Sequence, residues 1–457
     1  MMVPNPNFIY YLVIFAWPIF AIWIYKKYAL DQATILLFII PYLLFPVPHP
    51  YVIPLDLPLL PPLDKKIVPV LVAFGVLAAN RVKIDWLPKS GYSTIFCLSA
   101  LLSPTFTLLT NRDPIIFPGK IIPAMNLLEI ASLYTDNLLK VYIPFVIGFT
   151  LLGTEDAHHK LVKVIFVSGL VYSLLMIYEI RMSPQLHRYF YGYHPHEFVQ
   201  QRRGDGFRAM VFLGHGLLTA FFCCLTLMAA FALRKSKDAL MVGGRIWILM
   251  YLVLVLILSK TYSAVIYFLF YLGATLFLSR KMSLRLLASI GLMVLLYPYI
   301  RSLMPLAELT ELFNDINPER ASSLQFRFDN EERLLSKGWE KPWFGWGTWG
   351  RNRVYDPETG TDLSVTDGMW IINFGMFGWL GYIGIMGLLV YPLIALFKLA
   401  KRNVDISVYT MMLAFVVAIY ALDQIPNASS SYLTYLISGA LLGRIKQLSE
   451  TAKAPMV

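Results

Sequence analysis

The sequence predicts an all-α polytopic membrane protein, with twelve or thirteen transmembrane helices and one long extracytoplasmic loop. Two observations predict it. Hydrophobic residues fill 57% of the 457 positions and charged residues only 15%, against roughly 45–50% and 25% in soluble domains. So little charge cannot coat a water-soluble fold. Apolar runs approaching the roughly 20 residues that a helix needs to cross the bilayer core also recur from one end of the chain to the other.

The runs lie near 8–25, 31–47, 67–80, 92–110, 137–153, 161–180, 208–233, 244–259, 262–279, 283–300, 368–397, 405–422 and 429–443. The first is read as a helix that stays rather than a signal peptide. No basic region precedes it, and no small-residue cleavage site follows before Lys26 and Lys27. Cys97, Cys223 and Cys224 fall inside apolar runs without the spacing of a zinc site, which makes them small core residues. The net charge of +11 fits basic cytoplasmic loops and gives no reason to expect nucleic acid as a partner. Those loops hold Lys26/Lys27, Arg81/Lys83/Lys89, Lys160/Lys163, Arg234/Lys235/Lys237/Arg245, Arg280/Lys281/Arg285 and Lys398/Lys401/Arg402, and they follow alternate runs. The predicted organisation is ten helices over 1–300, an outer cap over 301–367, three helices over 368–443 and a cytoplasmic tail over 444–457.

The same alternation places 48–66, 111–136, 182–207 and 301–367 outside. The last is far longer than the roughly 12–15 residues beyond which loops are either functional or disordered. Trp339, Trp343, Trp346, Trp349, Phe326, Phe328 and Phe344 argue for a folded cap. Arginines gather on this outer side, where few are expected: Arg202, Arg203 and Arg208, then Arg320, Arg327, Arg333, Arg351 and Arg353. Either an anion meets them, or they pair with Asp329, Glu331, Glu332, Glu340 and Asp356 or with lipid headgroups. A guanidinium fork holds phosphate through two parallel hydrogen bonds without a metal, so a lipid-linked diphosphate suits the outer leaflet. The chain shows no DxD-like carboxylate pair, no metal-ligand constellation at helical spacing and no P-loop. Metal-independent chemistry without a cofactor, or transport, follows.

From Phe326 the long loop reads FRFDNEERLLSKGWEKPWFGWGTWGRNRVYD. Arg327 stands fifteen residues before Pro342, and Gly345-Trp346-Gly347 follows after two aromatics. This resembles the O-antigen ligase and polysaccharide polymerase superfamily of bacterial envelopes. RRGDGFRAMVFLGHGLLTAFF is similar to a second family stretch, through Arg203, Gly206, Phe207, Arg208 and His215. LSKTYSAVI resembles a third, with Lys260 where arginine is more usual. Together they cover about 200–380. Where the ligases place a histidine at the end of the loop, this chain has Asp367, followed by Gly375 and Gly378 at family spacing, a departure that leans toward the exopolysaccharide polymerases.

The resemblance implies transfer of a glycan from polyprenyl diphosphate to a hydroxyl at the outer face of a bacterial inner membrane. Membrane lipid and other polysaccharide assembly proteins would be the further partners. Arg203, Arg208 and Arg327, then Arg333, are the candidates to stabilise the diphosphate leaving group. Asp367 is the candidate base, with an N-cap of the eleventh helix as its other reading. His215, expected inside the seventh run, is either a functional group or a hydrogen-bonded core histidine. Lys260, Trp346 and Arg351 are secondary candidates, Trp346 either stacking on a sugar or joining an interfacial belt. Gly345, Gly347 and Gly350 are expected to permit a tight backbone path, and Asp423 and Asn427 either to touch substrate or, as DQIPN reads first, to shape a turn. A transporter or flippase of lipid-linked or anionic glycan is the competing reading, and a noncatalytic assembly partner is a third.

Overall fold

The computed structural model describes residues 5–49, 52, 63–196, 198–204, 206–234, 245–304, 318–348 and 350–451, without the side chains of 245, 318–321 and 323. Part of the predicted cap, Trp349 and the Arg320 side chain therefore lie outside the described residues.

The chain is mostly helical, and a helix covers each apolar run. The first four are α1 (Phe8–Lys27), α2 (Leu30–Leu44), α3 (Val68–Ala79) and α4 (Ser93–Leu109). A hairpin of β1 (Ile115–Phe117) and β2 (Lys120–Ile122) leads to α5 (Leu127–Asn137), which opens on a capping box made by Asn126 and Glu129. A π turn (Leu138–Tyr142) carries α5 into α6 (Ile143–Leu151). Pro144 has no N–H to give the carbonyl of residue 140, and this local loss favours the wider turn. Then come α7 (Glu155–Met182), the short α8 (Leu186–Tyr191), a two-residue hairpin of β3 (Arg202–Arg203) and β4 (Gly206–Phe207), and α9 (Gly216–Leu233).

The remaining helices are α10 (Arg245–Leu258), α11 (Tyr262–Phe277), α12 (Arg280–Leu295), α13 (Tyr297–Ser302), α14 (Pro318–Trp339), α15 (Met369–Ala400), α16 (Val408–Asp423) and α17 (Tyr432–Thr451). By length and composition α1, α7, α9 and α15 can each cross a membrane. Three boundaries depart from expectation. The run 208–233 is helical only from Gly216, the run 283–300 divides into α12 and α13, and the predicted tail is helical as far as Thr451.

Between helices surrounded by hydrocarbon, close van der Waals packing of small residues replaces the hydrophobic drive. Gly148 of α6 packs on Leu436 and Ala440 of α17 so closely that a Cβ on it would overlap the Leu436 carbonyl, Gly439 of α17 packs as closely on Phe145, and Gly443 meets Gly153 just beyond α6. Gly384 of α15 packs in the same way on Ala100 of α4, and Ser99 donates to the Leu380 carbonyl at 2.6 Å.

Helix α15 is broken at Gly378, which has φ +59° and ψ −161°. The break frees backbone groups that must find partners inside a membrane, and residues 342–347 supply them. Trp379 N donates to Pro342 O at 2.7 Å and Leu380 N to Trp343 O at 3.1 Å, while Trp346 N and Gly347 N donate to Gly375 O and Met376 O at 2.8 and 2.9 Å. From α4, Thr107 donates to Phe344 O at 2.6 Å and Asn111 to Gly345 O at 2.9 Å. Arg301, only 1% exposed, ties α13 to α14 through Glu331 at 2.9 Å and Glu332 at 3.2 Å.

Candidate functional site

Residues 208–215 form no helix, and side chains from distant elements satisfy their backbone. The Glu179 carboxylate on α7 accepts N–H bonds from Met210 (2.8 Å), Val211 (2.7 Å) and Leu186 (2.8 Å). Phe212 N donates to the Tyr172 hydroxyl at 2.9 Å, and Thr219 donates to Met210 O at 2.8 Å. Val211 is held at φ +47°, a left-handed conformation that a β-branched residue adopts only when its surroundings over-determine it. Lys65 donates to Phe212 O and Phe45 O, and burial pushes its ammonium down to about 7.

This pinned segment sets out the first predicted group. Arg208 turns its Nε and Nη2 to the Lys260 carbonyl at 3.4 and 3.3 Å, and Lys260 Nζ donates to Arg203 O at 2.9 Å. Lys260 itself has φ +52°. None of the three cations has a carboxylate partner among the described residues. Burial, then repulsion from Arg203, lowers the pKa of the Arg208 guanidinium. His215 is the N-cap of α9 rather than a residue inside it, with Nδ1 accepting Leu217 N–H at 3.1 Å. Burial first, then His196, Arg208 and Arg203, push its pKa down to about 4, so the ring is neutral at pH 7 and can accept that bond.

The second group is Arg327 and Asp367, with Nε 3.5 Å from Oδ2 and both side chains more than a third exposed. Asp367 is not the cap of α15. Gly368 holds that position without a side-chain bond, and Asp367 Oδ1 has no hydrogen-bond or ion-pair partner among the described residues. Arg333 is exposed and, among the described residues, reaches only Leu363 O, at 3.5 Å.

Other expectations are corrected. Arg351 is buried and spends its guanidinium on the carbonyls of Trp346 (3.1 Å), Pro123 (2.6 Å) and Asp113 (3.1 Å), so its donors are committed to holding the loop together. Trp346 donates Nε1 to Lys337 O at 2.7 Å and lies beneath Lys337 and Lys341, 3.6 and 4.4 Å from its centroid; it is not a free sugar platform. Gly345 and Gly347 have φ of +68° and +92°, as a tight path requires, and their N–H groups are spent within the fold. Asp423 does more than shape a turn, since it accepts the Tyr267 hydroxyl at 3.0 Å. Cys97, Cys223 and Cys224 are buried, as expected.

Two cavities of about 340 and 350 Å³ share Lys66 and Ser430 in their walls. One is lined by Lys65, Asp64, His196 and Gly214; the His196 ring lies 4.9 Å from that of His215. The other is lined by Asp136, Asn137, Lys140 and Gln424, and by Met369, two residues beyond Asp367. Three buried atoms along these walls have no hydrogen-bond partner among the described residues: His196 Nδ1, Asn137 Nδ2 and Gln424 Oε1. Buried polar atoms are normally satisfied, so such orphans mark a place for water or ligand. Sequence reasoning passed over Lys65, Lys66, Asp136, Lys140 and His196. The only signal available was that charges beside apolar runs lean functional.

No family model, curated protein or solved structure matches the chain, and the likeness to a family rests on its residues alone.

Proposed function

We propose that this protein is a membrane glycosyltransferase, moving a glycan from a polyprenyl diphosphate carrier to a hydroxyl acceptor and most simply polymerising lipid-linked repeat units. The reading takes the chain as thirteen spans in a bacterial inner membrane, with residues 301–367 outside. The observation that carries it is the cluster of Arg203, Arg208 and Lys260, three cations without a carboxylate partner among the described residues, joined through His215 and His196 to a pair of cavities. In the reaction the acceptor oxygen forms a bond to the anomeric carbon as the bond from that carbon to the diphosphate oxygen breaks. The diphosphate leaves with the electron pair, and Arg203 and Arg208 stabilise its charge. Asp367 Oδ1 takes the acceptor proton and returns it to water, while Arg327 holds Oδ2. The apolar groove of about 710 Å³ walled by Trp17, Phe20, Trp23 and Phe212 suits the carrier's tail, because Phe212 lies four residues from Arg208.

The break in α15 favours a second reading, since discontinuous helices line the substrate sites of many transporters. One assay separates the two. Reconstituted membranes receive polyprenyl-diphosphate-linked repeat units without metal, and the glycan is followed by gel mobility for wild type, Arg208→Ala, Arg327→Ala and Asp367→Asn. A ladder from wild type that falls by about 10²–10³ in Arg208→Ala supports transfer. Passage of labelled carrier between leaflets, with no covalent product, overturns it in favour of transport.

A further inference from the structure

We propose that the cavity beside the π turn Leu138–Tyr142 is a subsite for a carboxylate-bearing sugar, such as a hexuronate, of the transferred glycan. The choice of a sugar rests on the transfer reading; the choice of a monoanion rests on the cavity itself.

Three charged groups line it, Lys66, Asp136 and Lys140, and Asp64 lies beside them in the wall of the adjoining cavity. Lys140 forms an ion pair with Asp136, one turn back on the same helical rod. The Asp64 carboxylate accepts the backbone N–H groups of Lys66 and Ile67 at 2.7 and 3.0 Å. That leaves Lys66, which is exposed to the cavity and whose Nζ has no hydrogen-bond or ion-pair partner among the described residues. One free ammonium beside two carboxylates suits a single negative charge and repels a dianionic phosphate. The orphaned Asn137 Nδ2 can donate and the orphaned Gln424 Oε1 can accept, the pairing that neighbouring sugar hydroxyls offer. Opposite them, Met369, Phe377 and Tyr435 form an apolar wall for the C–H face of a pyranose. At about 340 Å³ the cavity is at the small end of the range for small-molecule sites, roughly 300–1,000 Å³.

The π turn follows directly on these groups: Asp136 and Asn137 close α5, Lys140 and Val141 lie within the turn, and all four line the one cavity; such turns recur at functional sites.

The test uses the full chain in lipid nanodiscs and three soluble probes, methyl β-D-glucuronide, methyl β-D-glucoside and inorganic phosphate, titrated by ligand-observed NMR. The glucuronide should bind roughly tenfold more tightly than the glucoside, the size of one charge-assisted hydrogen bond. Lys66→Met should abolish that preference while leaving glucoside binding and the thermal midpoint in place, and Lys66→Arg should restore it. Equal binding of the two glycosides by wild type overturns the proposal, as does displacement of the glucuronide by stoichiometric phosphate. The wild-type comparison stands even if a variant fails to insert. Repeat-unit transfer without any glucuronide preference removes the subsite and leaves the transfer reading; glucuronide binding without transfer does the reverse.

Discussion

Arg203 and Arg351 both fall in segments expected on the outer side, and their surroundings send them to opposite tasks. Removing the Arg351 guanidinium strands the buried carbonyls it serves, at about 1–3 kcal/mol each. Arg351→Ala should therefore lower the thermal midpoint by several degrees in a melt of the purified protein. Arg203 is exposed and has no carboxylate partner among the described residues, so Arg203→Ala should leave the midpoint unchanged and reduce the proposed transfer. Lys65 makes a pH prediction. Its folded pKa, about 7, lies below the 10.5 of the free side chain, so the unfolded chain binds more protons between those values and stability should rise with pH across that window. Melts at pH 7 and 9 read the slope, and Lys65→Met should flatten it. At His215, replacement by Asn keeps an acceptor for the Leu217 N–H, whereas Ala removes it at about 0.5–2 kcal/mol. The sequence singled out these residue types by chemistry alone. It could not tell Arg351 from Arg203, because the partners that separate them, Pro123 and Asp113, are more than two hundred positions from Arg351.

Hydropathy located the helices because a bilayer demands long apolar runs, and two elements escaped it for physical reasons. The start of α9 is set by Glu179, whose hydrogen bonds hold 210–211 out of the helix although Met210, Val211 and Phe212 are as apolar as the helix that follows. The break in α15 is set by residues 342–347, which belong to the loop before it. A Pro-x-x-Gly-x-Gly stretch therefore reads in sequence as a site motif and in the structure as a splint across a broken helix. A Cβ at either Gly345 or Gly378 would collide with backbone, of Met376 in one case and of Trp343 and Phe344 in the other. Gly345→Ala and Gly378→Ala should each abolish detergent-stable protein, as size-exclusion profiles would reveal, while Gly273→Ala, in α11 where a Cβ would meet nothing within 4 Å, should preserve a folded peak.

Across the whole molecule, alternate basic loops give an orientation that cysteine labelling can test, since the native cysteines are buried and contribute little background. A cysteine introduced at the exposed Glu358 should react with an impermeant maleimide in intact cells, and one at Arg402 only after permeabilisation; the reverse pattern inverts the assigned topology. The cavities draw on parts of the chain remote in sequence, from Asp64 and Lys66 through Lys140 and His196 to Gln424 and Ser430, and no local pattern could reveal such a convergence. The packing of α6 on α17 carries this into biosynthesis. During translation the glycine face of α6 emerges some three hundred residues before the helix that covers it, and Gln424, Ser430 and Tyr435 emerge with that late partner. The nascent chain thus has no finished cavity while the ribosome is still at work, and a chain stopped at residue 407 would be inert however well its earlier helices had inserted.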